Sequence, residues 1–156
     1  MDRMAHDDGD PEEWDVHHWQ EINPVNTEAL VQLTCGGPQI VYHGGLLHTR
    51  LRYYDADARR PGLPADVAAL VDQMTPDSVR VTLVNTSLLH PRRLIVQAGA
   101  FGEHRFTRVR DELSGAETAT AVGGRWLEVQ LQPSGTVRLN LGMQRYVNRP
   151  GYEQPV

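Results

Sequence analysis

Five residues near the end of the sequence have types and spacing that suit sugar chemistry: Trp126, Glu128 and Gln130, then Arg138 and Asn140. In an extended chain, side chains two apart point to the same face. Folding the two runs together about Pro133-Ser134-Gly135 pairs Gln132 with Thr136. Leu131 then meets Val137, Val129 meets Leu139 and Leu127 meets Leu141 on an apolar face. Gln130 with Arg138, Glu128 with Asn140 and Trp126 with Gly142 make the opposite, polar face. An aromatic plate beside amide, carboxylate and guanidinium groups is what carbohydrate binding requires. The ring covers the apolar C–H face of a pyranose, and the polar groups bind its hydroxyls. A plainer reading has Trp126 filling the space that Gly142 leaves across the strand.

Other groupings are weaker. His48, Arg50, Arg52 and Tyr54 alternate on one strand face and could receive an anion, or else form a solvated row paired with neighbouring acids. The seven histidines raise the question of a metal. His17 and His18 near Glu21, and His43 with His48, are the closest groupings; neither has zinc-finger or zincin spacing, and Cys35 lacks a companion. The spacing also misses a cupin metal set, and Asp55-Ala56-Asp57 lacks the helix-flanked calcium pattern. No metal and no cofactor are expected. In AGAFGEHRF, Gly99 and Gly102 bracket Phe101 ahead of Glu103 and His104. With no helix following, this is a poor phosphate loop; a tight connection with Phe101 in the core is expected. Glu103 and His104, with His48, would be the acid and base of a small hydrolase or lyase. No Gly-x-Ser-x-Gly elbow is present, so covalent catalysis has no support.

The elements that must position these residues are mostly strands. Alternation of period two marks 27–35, 40–43, 46–54, 79–84, 93–98, 104–109, 126–132 and 136–143, with 118–122 weaker. Ala29, Val31, Leu33 and Cys35 share a face, as do Leu47, Thr49, Leu51 and Tyr53. One helix is predicted over 64–74. Pro64 precedes it, Asp66 lies in its first turn, and Val67, Leu70, Val71 and Met74 form a stripe at helical spacing. Short strands with turn signals between them predict an all-β, mainly antiparallel fold: a β-sandwich, or an open barrel, with one short helix. At 156 residues the chain suits a single domain. Residues 1–16 read as a disordered acidic leader and 17–156 as the domain.

Charge narrows the partners. Of twenty acids, seven fall in residues 1–15 against Arg3 alone, leaving thirteen against fourteen arginines in the body, with no lysine anywhere. A near-neutral body argues against nucleic-acid binding by a broad basic face. No apolar run approaches the roughly 20 residues of a membrane span, and the acidic N-terminus is no signal peptide, so a cytoplasmic location is expected for the chain as it stands. A single cysteine excludes an internal disulfide.

Two stretches, VRVTLVNTSLLHPRRLIVQAG and WLEVQLQPSGTVRLNLGMQRYVNRPGY, together resemble the C-terminal β-sandwich appendages of bacterial carbohydrate-active enzymes, mainly glycoside hydrolases. The resemblance covers about the C-terminal half. It implies a non-catalytic accessory module that docks on a catalytic partner domain or binds glycan weakly, and it carries over no catalytic residue. Two alternatives remain open. One is a self-associating module, a homodimer built on strand edges and the aromatic tail 146–152; the other is the small hydrolase or lyase.

Overall fold

The computed structural model describes residues 6–15, 17–18, 50–118 and 123–155. Among the described residues nine strands follow one another: β1 Leu51–Asp55, β2 Arg60–Pro61, β3 Val67–Met74, β4 Ser78–Asn85, β5 Arg92–Ala98, β6 Arg105–Asp111, β7 Glu117–Thr118, β8 Trp126–Leu131 and β9 Thr136–Gln144. They make two antiparallel sheets, a four-stranded one in the order β2-β1-β5-β8 and a five-stranded one in the order β3-β4-β9-β6-β7. The predicted strands at 27–35 and 40–43, with Cys35, His43 and His48, lie outside the described residues.

The core lies between the sheets. Leu51 and Tyr53, Leu94 and Val96, and Leu127, Val129 and Leu131 come from the four-stranded sheet. Val79, Val81 and Leu83, Phe106 and Val109, and Leu139, Leu141 and Met143 come from the other. In β4 and β8 burial alternates residue by residue, as a strand with one solvated face must. The predicted β-sandwich is therefore observed, as is the placement of Leu51 and Tyr53 on one face with Arg52 and Tyr54 on the other.

Two expectations are corrected. Residues 64–74 contain no helix. Asp66 adopts a left-handed φ of 62°, which no first helical turn accommodates. From Val67 to Met74 the chain pairs with β4, with a register shift between Val71 and Gln73. Of the positions 67, 70, 71 and 74 that suggested a helical stripe, 67 and 71 also share a face in an alternating strand, whereas Leu70 and Met74 are exposed. Ala69 is in the core and Val67 and Val71 pack against it, while Leu70 faces outward at 46% exposed. Strand pairing and β-branched Val67 and Val71 decide the outcome over a shared pattern.

The second correction concerns the predicted hairpin. β8 and β9 do not pair. β8 pairs with β5, Trp126 opposite Gln97 and Glu128 opposite Ile95, whereas β9 lies between β4 and β6. The three-residue turn is an arch that carries the chain from one sheet to the other. Ser134 takes a left-handed φ of 54°, and the Gly135 N–H donates to the Gln132 carbonyl at 2.9 Å. A Cβ on Gly135 would fall 2.8 Å from that carbonyl oxygen. The apolar residues of β8 and β9 do face one another, but across the core and not along a ladder.

The strand assignment of 67–74 makes a stability prediction. Leu70→Thr should leave the unfolding free energy within about 0.5 kcal/mol of wild type, as outward-facing substitutions do. A helical stripe residue packed on the core would cost about 2 kcal/mol or more. Chemical denaturation followed by circular dichroism separates these outcomes.

Candidate functional site

The arch separates the five residues read as a sugar site. Trp126, Glu128 and Gln130 point outward from the four-stranded sheet, because Leu127, Val129 and Leu131 between them face the core. Arg138 and Asn140 point outward from the five-stranded sheet, flanking core residues Leu139 and Leu141. The two groups therefore lie on opposite outer surfaces of the sandwich. The pairing of Trp126 with Gly142 fails for the same reason. A Cβ on Gly142 would instead meet Thr107 Oγ1 at 2.9 Å and Arg108 Cβ at 3.2 Å, where β6 bulges between Phe106 and Arg108.

On the four-stranded sheet Trp126 belongs to a small network centred on Gln97, which is 2% exposed. β5 carries Gln97 between Arg52 of β1 and Trp126 of β8. The Gln97 Oε1 accepts from the Tyr54 hydroxyl and the Trp126 indole N–H, both at 3.1 Å. Its Nε2 donates to the carbonyls of Gly99 at 3.1 Å and Ala100 at 3.2 Å. All four hydrogen-bonding positions of the amide are filled, which fixes its orientation and that of the indole. Burial pushes the Tyr54 phenol above its usual pKa, with Arg52 and the Gln97 bond opposing. Arg52 lies over the Tyr54 ring at 5.3 Å and Arg125 over the Trp126 ring at 5.4 Å. The row of Arg50, Arg52 and Tyr54 is thus partly spent within the fold: Arg52 also donates to the Ala100 carbonyl at 3.4 Å. Glu128 is exposed and lies 3.6 Å from Arg93, which binds Asp57 at 2.7 Å.

On the five-stranded sheet Arg138 and Asn140 are part of a charge lattice. Asp72 accepts from Arg80 Nε and from Arg138 Nη2, each at 2.7 Å. Glu112 lies 4.0 Å from Arg80 and 3.9 Å from Arg138, and accepts from the Asn140 amide at 3.3 Å. Arg80 first and Arg138 second hold the Asp72 carboxyl below its usual pKa. These side chains brace one another across β3, β4, β9 and the turn after β6.

Glu103 and His104 lie together at the end of the sandwich where β5 passes to β6. Both are buried, at 9% and 1% exposed, and His104 Nε2 is 3.7 Å from Glu103 Oε1. One polar atom of each side chain is committed to the backbone. Glu103 Oε2 accepts from the Phe101 N–H at 2.8 Å, and His104 Nδ1 accepts from the Tyr146 N–H at 3.2 Å. Gly99 makes the turn possible: its φ is 92°, and a Cβ there would fall 2.4 Å from the Glu103 carboxyl carbon. Phe101 is only half-buried and meets the Tyr152 ring edge-on at 5.5 Å; the core phenylalanine is Phe106.

Among the described residues no three His, Cys, Asp or Glu side chains gather as a metal site, and no helix is long and apolar enough to cross a membrane. His18 lies 2.5 Å from Asp7 and stacks on Trp14, with ring centroids 4.1 Å apart; Glu21 is outside the described residues. Gln97 and Asn85, the most fully bonded polar side chains of the core's margins, are not singled out by sequence reasoning. The available signal was a lone amide inside the apolar run LIVQA and another closing VTLVN.

No known protein family matches the chain, and no curated protein is similar to it. Among solved structures, the apo exo-carrageenase GH42 from Bacteroides ovatus is similar to it in part. The identity is 15% and the TM-score 0.45, over 68% of this chain and 12% of that one. The chain thus spans about an eighth of that enzyme's length.

Replacing Gln97 by Leu removes four hydrogen bonds and takes from Tyr54, Trp126 and the Gly99 carbonyl the partner described above, while the Ala100 carbonyl keeps Arg52. An unpaired buried group costs about 1–3 kcal/mol. Gln97→Leu should lower the unfolding free energy by about 3 kcal/mol or more in a denaturant titration and shift the tryptophan emission. An unchanged midpoint and spectrum would show that the amide does not hold Trp126.

Proposed function

We propose that this chain is a non-catalytic β-sandwich accessory module of the kind attached to carbohydrate-active enzymes. It engages glycan weakly through the outer face of β8. The observation that supports this most is the fixed presentation of Trp126. Its indole N–H is locked onto the buried Gln97 amide, while the ring remains partly exposed beside Arg125, Glu128 and Gln130 on one surface. A pre-oriented ring loses little freedom on binding, so even a small contact is retained as affinity. Arg138 and Asn140 are no part of this surface. The commitment of Glu103 and His104 to backbone groups supports a scaffolding role for that pair over acid–base chemistry. The weak similarity to a GH42 enzyme accords with this setting without specifying it.

A glycan-array screen of the purified chain, beside light scattering for its mass, tests the reading. Binding to one sugar class should fall at least about tenfold, or ~1.4 kcal/mol, in Trp126→Ala. It should be unaffected by Arg138→Ala, which lies on the other sheet. Retention that survives Trp126→Ala would remove β8 as the site. Absence of binding together with a dimer or larger species would favour docking or self-association in its place.

A further inference from the structure

Residues 145–152 lie across the 99–104 loop as a strap. The N–H groups of Val147 and Asn148 donate to the Glu103 carbonyl at 3.1 and 3.2 Å. The Asn148 side-chain amide donates to the carbonyls of Gly102 at 3.1 Å and His104 at 2.6 Å. Gly151 N–H reaches the Phe101 carbonyl at 2.9 Å, and Tyr152 packs on the Phe101 ring. In all these bonds the acceptor is a backbone carbonyl, which does not titrate. One further bond differs: the Tyr146 N–H donates to Nδ1 of His104 at 3.2 Å, so that nitrogen must keep its lone pair. A protonated imidazole carries N–H on both nitrogens and accepts at neither.

We propose that His104 is an acid-sensitive latch, whose protonation releases the strap 145–152 from the 99–104 loop while the sandwich stays folded. Four groups face the ring. Glu103, adjacent in the loop, favours the imidazolium. Arg50, just before β1, and Arg145, at the start of the strap, oppose it. The Tyr146 ring stands edge-on to it at 4.8 Å. The Glu103 carboxylate is already engaged by the Phe101 N–H, so turning fully onto an imidazolium would loosen the loop itself.

Burial is the largest influence and holds the His104 pKa below its ordinary value of 6.5, with Glu103 partly opposing. The sign follows. A released His104 binds a proton more readily than a latched one, so the latched state is fully favoured above about pH 6.5. It weakens as the pH falls from there through the lowered pKa. Release frees the His104 ring from Tyr146 and the Phe101 ring from Tyr152.

Amide hydrogen exchange and the His104 ring resonance, followed by NMR from roughly pH 7.5 to pH 4.5, test the latch. Protection of Tyr146, Val147, Asn148 and Gly151 should fall at least about tenfold beyond the intrinsic pH effect, tracking the His104 titration. Protection of β5 and β9 should persist. In His104→Asn, whose side-chain oxygen can still accept and does not titrate, the strap should remain protected throughout. Three outcomes overturn the proposal: strap protection that survives His104 titration, loss in His104→Asn at the wild-type pH, or simultaneous loss across β5 and β9. If His104→Asn does not fold, the wild-type comparison of ring titration against strap exchange decides alone.

Discussion

The buried side chain of Asn85 governs how the chain divides between its two sheets. It has no exposed surface and stands at the end of β4. Its Oδ1 accepts from the Ser87 N–H at 3.0 Å, and its Nδ2 donates to the carbonyls of His90 at 2.8 Å and Gln132 at 3.0 Å. Its backbone N–H donates to Gly135 at 2.9 Å, and the Ser134 N–H donates to Ser87 at 2.9 Å. One amide thus joins the crossing from β4 to β5 to the arch from β8 to β9. Connections between sheets leave backbone groups that no ladder pairs, and such groups are costly when buried. Asn85 satisfies them, and the sandwich can then close over Leu83, Leu131 and Leu139.

From that division follows the distribution of polar side chains. The arch sends Trp126, Glu128 and Gln130 to one outer surface and Arg138 and Asn140 to the other. Each surface then develops its own internal bonding. Gln97 satisfies Tyr54, Trp126 and two carbonyls on the four-stranded sheet, and Asp72 and Glu112 bind arginines on the five-stranded one. Partly buried ion networks brace a sheet surface better than isolated surface pairs do. They also occupy the groups that a ligand would use. On the four-stranded sheet the Trp126 ring faces outward and is held by its bond to Gln97.

The alternation of apolar and polar residues made the strands and the all-β class legible from sequence, because a half-buried strand has to alternate. The same alternation could not say which strand neighbours which. An apolar face on β8 and another on β9 satisfy a hairpin and an inter-sheet arch equally well, and the distinction rests on Asn85, 47 residues away from the Gln132 carbonyl that its amide binds. The helix predicted over 64–74 failed in a related way, since 67 and 71 are compatible with either period and pairing with β4 decided. Glu103 and His104 were recognisable as chemistry-bearing residues. That their atoms are bound to the Phe101 and Tyr146 backbone depends on the strap, which no local pattern reveals.

The placement of β8 and β9 in different sheets is the claim on which the rest stands, and cross-strand disulfides measure it. In a Cys35→Ser background, Ile95→Cys with Glu128→Cys places thiols on paired strands, within the roughly 4.4–6.8 Å Cα range a disulfide needs. Glu128→Cys with Asn140→Cys places them on outer surfaces separated by two sheets that pack about 10 Å apart. The account predicts that mild oxidation of the folded protein closes the first pair and leaves the second reduced. Closure of the second pair with the first left open would mean that β8 and β9 form a hairpin, and would contradict the fold described.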